Sequence, residues 1–184
     1  LKSYGDAFRS SDEVTLIIKT FNNPHNDVIS MLDDLRANDD FYPDVIVITS
    51  DLNERQIKSL YLQSNVLVSP SRGEGFGLPI GEAMALGIPV ITTGWGGQTD
   101  FCNNKNSWLI NFDYVAADSH FNLGLSYWAE PSTQHLTTLM REVFSSTQEE
   151  LDERIFLAKE SIKNFTWENV AKENIQFVNN LCSV

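Results

Sequence analysis

The chain has 184 residues, of which 42% are apolar, and this suits one globular domain with a sizeable core. Its formal net charge of −12 argues against binding to nucleic acid or to an anionic membrane surface. No apolar run approaches the ~20 residues that a membrane-spanning helix needs. The two cysteines and three histidines lack metal-site spacing. We therefore expect reduced thiols, no metal and a cytoplasmic location, with peripheral contact at the inner membrane face as the alternative.

The first third of the chain alternates between helical and strand-like patterns. Leu1, Tyr4 and Phe8 fall on one face of a helix that reaches residue 10. Short β-branched runs then alternate with segments that have apolar residues at helical spacing. The remaining predicted elements of this part are a strand at 14–18, a helix at 28–35, a strand at 45–48 and a helix at 53–62.

The rest of the chain continues this alternation and then ends in helices. We predict strands at 66–69, 90–93 and 108–110, an irregular packed insertion at 111–130, and three closing helices. Thr166 is a good N-cap for the last helix, whose Val170, Ile175, Val178 and Leu181 are expected to face inward. Alternating strands and helices predict an α/β fold with a doubly wound, Rossmann-like parallel sheet.

The most informative stretch is the glycine-rich turn at 69–84, which joins a strand to a helix. Pro79 suits the first position of that helix and Gly87 suits its end. The glycines let the backbone approach a ligand closely, and the amides of Phe76, Gly77 and Leu78 lead into a dipole-positive helix start that favours a phosphate. Because ligands bind at the carboxyl ends of parallel strands, this turn is the predicted ligand site.

Two acids flank the turn and complete the pattern. Glu82 is expected in the first helical turn, where its carboxylate can accept hydrogen bonds from two vicinal sugar hydroxyls. Glu74 lies in the turn itself, near the position of a group attached to the phosphate. The alternatives are a first-turn acid that complements the helix dipole and a solvated loop acid.

Two acids eight positions apart around Gly-Phe-Gly resemble the E-x7-E signature of retaining GT-B glycosyltransferases of the glycogen-synthase-like family 4. Other segments strengthen the resemblance, which extends over nearly the whole chain. Four of them are Leu60-Tyr61, Ser64-Asn65-Val66, Gly87-Ile88-Pro89-Val90-Ile91 and Gly96-Gly97-Gln98-Thr99-Asp100, the last with Asp where the family has Glu. Two more resemble the closing helices of the family, namely Trp128-Ala129-Glu130-Pro131 and Phe165-Thr166-Trp167-Glu168.

The resemblance implies roles for individual residues. Glu74 would contact the transferred hexose and help to stabilise the transition state, and Glu82 would bind the donor ribose. The backbone at Gly75, Phe76, Gly77 and Leu78 would hold the phosphates or the sugar. Three further donor-binding candidates are Arg72, near the diphosphate, and Thr49 and Leu52, which follow the strand where the family binds the base. Solvation or simple packing is the alternative role for these three residues.

The resemblance also implies that parts of the protein lie outside residues 1–184. In the family this domain begins with a strand that is central in the 3-2-1-4-5-6 sheet order, followed by a basic pair that grips the diphosphate. Neither is present here. A sheet without its central strand would leave unpaired backbone groups, each costing roughly 1–3 kcal/mol. We therefore expect a donor-binding domain that continues a longer protein with an upstream acceptor-binding domain.

The function implied is transfer of a hexose from a nucleotide sugar, with UDP-glucose as the first choice, to an acceptor hydroxyl with retention and without a metal. The acceptor would be a saccharide or a lipid-linked molecule, bound mainly by the upstream domain, in envelope or extracellular polysaccharide synthesis. A dinucleotide oxidoreductase is disfavoured because G-x-G-x-x-G fails in both registers of the turn. A GT-B-like UDP-sugar epimerase and an inactive nucleotide-binding module remain as alternatives.

Overall fold

A computed structural model describes residues 1–22, 27–118 and 126–182. All five predicted strands are present within these ranges. β1 (Thr15–Lys19) pairs in parallel with β2 (Asp44–Ile48), and β3 (Leu67–Ser69), β4 (Val90–Thr93) and β5 (Trp108–Ile110) form a second parallel sheet in the order β3-β4-β5. β4 lies at the centre of the second sheet, and all of its residues are buried, as expected for a strand covered on both faces.

Helices cover the strands on two sides. Within the described residues they are α1 (Lys2–Ala7), α2 (Val28–Asn38), α3 (Glu54–Gln63), α4 (Leu78–Leu86), α5 (Thr133–Ser145), α6 (Gln148–Ile162) and α7 (Trp167–Cys182). One core cluster joins α1, α2 and α5 to the strands around Tyr4, Leu32 and Leu139. The other joins α4 and α6 around Met84, Val90 and Ile162. The structure is therefore the doubly wound α/β fold that the sequence predicts.

The two sheets are not joined by hydrogen bonds. Within the described residues β1 has a strand partner only in β2, and β3 only in β4, so each has one edge without a strand. Side chains from both strands, among them Leu16 and Val68, nevertheless pack against the same core cluster. The free edges lie on the two strands that would flank the central strand expected upstream of Leu1, and the domain boundary stays a prediction.

The aromatic segment at 111–130 was predicted to be irregular, and this is wrong where the structure describes it. β6 (Phe112–Ala116) and β7 (Tyr127–Pro131) form an antiparallel hairpin in which Tyr114 lies opposite Ala129. Trp128-Ala129-Glu130-Pro131 is therefore a strand and not part of a closing helix. Residues 119–125 of the predicted insertion lie outside the described residues. In β6 the aromatic residues Phe112 and Tyr114 are two positions apart, and this period of two, which is typical of strands, was the missed signal.

The last helix also differs from the prediction. α7 starts at Trp167, and the Thr166 hydroxyl accepts a hydrogen bond from the amide of Asn169 at 3.2 Å, as an N-cap does. However, its apolar residues do not face inward: Val170, Ile175, Val178 and Leu181 are 43%, 61%, 53% and 63% exposed. Helical spacing identifies an amphipathic face, but the spacing does not determine what covers that face.

Candidate functional site

The glycine turn begins α4 with a left-handed glycine. Gly77 has φ 88° and ψ 52° and is the N-cap of α4, and no side chain caps the helix start. The φ of Gly77 is unfavourable for residues with a Cβ. Leu78 is the first helical residue and Pro79 the second, one position later than predicted. Glu82 is consequently the fifth residue of α4 and not part of its first turn, so the first-turn expectation is wrong.

A second glycine segment, which follows β4, holds the turn in place. The amide of Gly97 donates a hydrogen bond to the carbonyl of Glu74 at 3.0 Å. Gly97 lies so close to the turn that a Cβ on it would be 1.7 Å from the carbonyl oxygen of Gly75. Buried Gln98 fixes this segment by donating to the carbonyls of Thr93 and Trp95, each at 3.0 Å. The turn, which follows β3, is therefore supported by the loop that follows the neighbouring parallel strand β4.

The side chain of Phe76 anchors the turn from the other side. Its ring lies 5.0 Å from the Phe101 ring and 5.9 Å from the Phe165 ring, measured between centroids. These separations fall in the range of favourable aromatic pairs. The ring contacts give Phe76 a structural role, and its predicted part in donor binding stays a prediction.

The two acids differ in their surroundings. Glu74 is half-buried in the turn, and its Cγ would lie 3.3 Å from a Cβ on Gly77. Glu82 is exposed, and its Oε2 accepts a hydrogen bond of 3.1 Å from the hydroxyl of Tyr61 in the last turn of α3. Burial, followed by the nearby Glu82 carboxylate, raises the pKa of Tyr61 to about 12, so its hydroxyl keeps its proton at neutral pH.

Arg72 contacts side chains of the β6–β7 hairpin. Its guanidinium donates two hydrogen bonds to the carboxylate of Glu130, at 2.5 and 2.9 Å, and lies 4.7 Å from the centre of the Trp128 ring. The Arg72 carbonyl accepts a hydrogen bond from the amide of Ala129. The hydrogen bonds to Glu130 raise the pKa of Arg72. In this structure Arg72 therefore clamps the hairpin to the glycine turn, and its predicted contact with a diphosphate stays a prediction.

Thr49 and Leu52 lie on the loop between β2 and α3, and both are half-buried. This loop follows the carboxyl end of β2, as predicted. The structure thus places both residues on a loop of the expected kind, and their contact with a donor base stays a prediction.

A cavity of about 540 Å³ lies between α4 and the end of α6. Three predicted site residues line it, namely Phe76, Leu78 and Glu82. Two lysines line the opposite wall of the cavity. Lys159 lies in the last turn of α6, and Lys163 is the residue that follows this helix. These two cations were not singled out in the sequence, although their i, i+4 spacing places them on one helix face.

The described ranges contain no cluster of three or more His, Cys, Asp or Glu side chains that could hold a metal ion. They also contain no helix that is both long enough and apolar enough to cross a membrane.

Comparison with known proteins places the glycine turn inside a recognised segment. Residues 34–118 match the family described as glycosyl transferases, group 1. The matched segment runs from α2 through the glycine turn and the supporting loop after β4 to the first strand of the hairpin. Tyr61, Glu74 and Glu82 therefore all lie inside it.

One sequence relative and two solved structures agree with this match. The D-inositol 3-phosphate glycosyltransferase of Corynebacterium urealyticum is 28% identical over 130 residues, 68% of this chain and 26% of the relative. Sucrose-phosphate synthase from Thermosynechococcus elongatus superimposes with a TM-score of 0.67 at 20% identity, covering 91% of this chain and 38% of the synthase. HepE from Anabaena, in complex with UDP, gives a TM-score of 0.64 at 19% identity, covering 93% and 41%.

These likenesses confirm the predicted α/β fold as that of GT-B glycosyltransferase structures. The chain spans about a quarter of the length of its sequence relative and about two fifths of the two solved chains. The assignment to family 4 and the functional meaning of the E-x7-E spacing stay predictions. So do the roles of the individual site residues.

Proposed function

We propose that this chain is the donor-binding part of a retaining hexosyltransferase, which moves a hexose from a nucleotide sugar to an acceptor hydroxyl. The observation that carries the proposal is the uncapped start of α4 at left-handed Gly77, with Glu74 before it and Glu82 after it, inside the segment that matches group 1 glycosyl transferases. A helix start of this kind stabilises a phosphate through its free N–H groups and its dipole.

UDP-glucose is the proposed donor. HepE, whose fold is similar, has been solved with UDP and with UDP-glucose. In the proposed complex the amides of Gly77 and Leu78 face the diphosphate, Glu82 accepts hydrogen bonds from the ribose hydroxyls, and Glu74 lies beside the hexose. Catalysis then consists of positioning and of electrostatic stabilisation of the departing diphosphate, without a metal.

The proposed whole protein is longer than residues 1–184. The free edges of β1 and β3 provide backbone donors and acceptors for a further parallel strand, which we place upstream of Leu1. An upstream domain would supply most of the acceptor site. This part of the proposal is supported by the relatives, of which the chain spans only a fraction.

The first test is donor binding by titration calorimetry in the full-length protein, with UDP and UDP-glucose. Glu82→Ala is expected to weaken UDP binding by ~1–3 kcal/mol, because two charge-assisted hydrogen bonds to the ribose are lost. Glu74→Ala is expected to lower turnover far more than UDP affinity, since its contact is with the transferred sugar. The matched control is Glu54→Ala, an exposed acid at the start of α3, which should change neither quantity.

Two outcomes would overturn the proposal. One is wild-type UDP affinity in Glu82→Ala together with wild-type turnover in Glu74→Ala. The other is conversion of the donor to its epimer without transfer or hydrolysis, which would favour the epimerase alternative. Turnover that requires an added divalent cation, and that stops in EDTA, would contradict the metal-free mechanism.

A further inference from the structure

We propose that Tyr61 is a positioning residue for Glu82 and thereby sets the preference of the site for a nucleotide with an intact ribose. The inference rests on the proposed function, since it assumes that Glu82 meets the ribose. It concerns a residue on a different helix, 21 positions away in sequence, whose hydroxyl is bonded to one oxygen of the predicted ligand-binding carboxylate.

The contact between Tyr61 and Glu82 leaves the carboxylate partly free. The Tyr61 hydroxyl donates to Oε2 of Glu82 at 3.1 Å. A carboxylate has about four lone-pair sites on its two oxygens, so one bond from Tyr61 leaves room for two sugar hydroxyls. An exposed glutamate side chain samples several rotamers, and a fixed donor on one oxygen reduces that freedom before the ligand arrives.

Tyr61 is itself held firmly enough to act in this way. Its ring packs partly buried against the core cluster that contains Met84 and Ile162. The helix that carries it starts with a capping box, in which the Asn53 side chain accepts from the Gln56 amide at 3.0 Å and the Gln56 side chain accepts from the Asn53 amide at 2.9 Å. Both the ring and its helix are thus fixed by contacts that do not involve Glu82.

The predicted consequence is selective for the ribose. Tyr61→Phe removes the hydroxyl and keeps the ring, so the packing of α3 against α4 is preserved. Glu82 then loses its fixed orientation, and the affinity for a ribonucleoside diphosphate is expected to fall about fivefold, which corresponds to one hydrogen bond of ~1 kcal/mol. The affinity for the 2′-deoxy analogue is expected to change less, because one of the two hydroxyl partners of Glu82 is already absent.

The experiment is a calorimetric comparison of UDP with 2′-deoxy-UDP in the wild type, Tyr61→Phe and Glu82→Ala. GDP and ADP with their deoxy analogues replace UDP if either binds more tightly. Tyr4→Phe is the matched control, because Tyr4 is packed in the other core cluster and its hydroxyl donates to the carbonyl of Asp44 at 2.9 Å. It should leave both affinities unchanged. Thermal unfolding of each variant shows whether it is folded.

The results separate the inference from the proposed function. The inference is supported if Glu82→Ala and Tyr61→Phe both reduce the ratio of UDP to 2′-deoxy-UDP affinity. It is overturned if Glu82→Ala reduces this ratio while Tyr61→Phe leaves it unchanged, or if Tyr61→Phe tightens UDP binding, since the hydroxyl would then compete with the ligand. If no nucleotide binds, or Glu82→Ala has no effect, the proposed function fails first and the inference fails with it.

Discussion

At the scale of single residues, the glycines around the turn are not equivalent. A Cβ on Gly97 would meet the carbonyl oxygen of Gly75 at 1.7 Å, whereas a Cβ on Gly75 would meet no atom within 4 Å. Backbone atoms cannot move aside as the end of a flexible side chain can. The supporting loop therefore tolerates no side chain at Gly97, while the turn itself has room at Gly75.

This difference leads to a prediction about the shape of the site. Gly97→Ala is expected to displace the turn and to weaken UDP binding at least tenfold, with a loss of stability of ~1–3 kcal/mol from overpacking. Calorimetry and urea unfolding measure the two effects. Gly75→Ala, the control, should remain within ~1 kcal/mol of the wild type in stability. Equal behaviour of the two variants would show that the turn does not depend on its contact with Gly97.

The sequence shows the spacing of the two candidate acids but not the side chains that contact them. The spacing of Glu74 and Glu82 around the glycines is visible in the chain, and the structure places Glu74 in the turn before α4 and Glu82 at its fifth residue. The bond from Tyr61 to Glu82 and the pairing of Arg72 with Glu130 join residues that are 21 and 58 positions apart. Such contacts depend on how helices and hairpins pack, and no local pattern encodes them.

At the scale of elements, α7 differs from the other helices. Its apolar side chains are exposed along its length, and within the described residues it makes few contacts with the rest of the chain. Most of the stability of a protein helix comes from packing of its apolar face. We therefore expect α7 to add little to the stability of the residues before it.

Removal of α7 tests this expectation. A chain that ends at Thr166 should unfold within about 0.5–1 kcal/mol of the intact chain, in the range of surface changes that leave the core untouched. Urea unfolding followed by tryptophan fluorescence is the measurement, since Trp108 remains in the core. A large loss of stability would mean that α7 packs on the domain in solution.

The β6–β7 hairpin shows why the element prediction failed there. Trp128 and Glu130 alternate with Tyr127 and Ala129, and the structure uses the first pair to hold Arg72. Arg72 is 53% exposed and Glu130 is 38% exposed in their side chains. An exposed ion pair contributes only about 0.2–1 kcal/mol, so the clamp orients the hairpin more than it stabilises the fold.

At the scale of the whole molecule, two buried groups and the half-buried Tyr61 link stability to alkaline pH. Burial raises the pKa of Tyr4 to about 12, and that of Tyr61 and of the Cys102 thiol to about 12 as well. The unfolded chain releases these protons at the ordinary values, 10.0 for tyrosine and 9.0 for cysteine. Between these values and about 12, the native state holds protons that the unfolded state has lost.

The sign of the pH dependence follows directly. Because the unfolded state binds fewer protons in this range, the free energy of unfolding falls as the pH rises. The contribution is complete below about pH 9 and is lost as the pH approaches 12. Urea midpoints measured at intervals from neutral pH to pH 11 should decline above pH 9, and the decline should be shallower in Tyr4→Phe. A flat profile would contradict the raised pKa values.

The amino-acid sequence by itself determined the elements and their order. The signals for these elements act over a few residues, so the sequence is sufficient to predict them. They are the runs of strand-forming residues, the helical spacing of apolar residues, Gly87 at a helix end and the glycine turn. On these grounds the sequence indicated a doubly wound α/β fold with two acids flanking a glycine turn. The start of that helix was misplaced by one residue, because Gly77 rather than Leu78 is its N-cap.

Only the tertiary structure decided which groups those residues meet. Four features depend on segments that are distant in the chain. They are the separation of the strands into two sheets, the bond from Tyr61 to Glu82, the pairing of Arg72 with the hairpin and the exposure of α7. Their energies come from packing and from hydrogen bonds between elements, and these arise once the chain has folded. A periodic pattern shows that a face is apolar, whereas the fold determines whether another part of the molecule covers it.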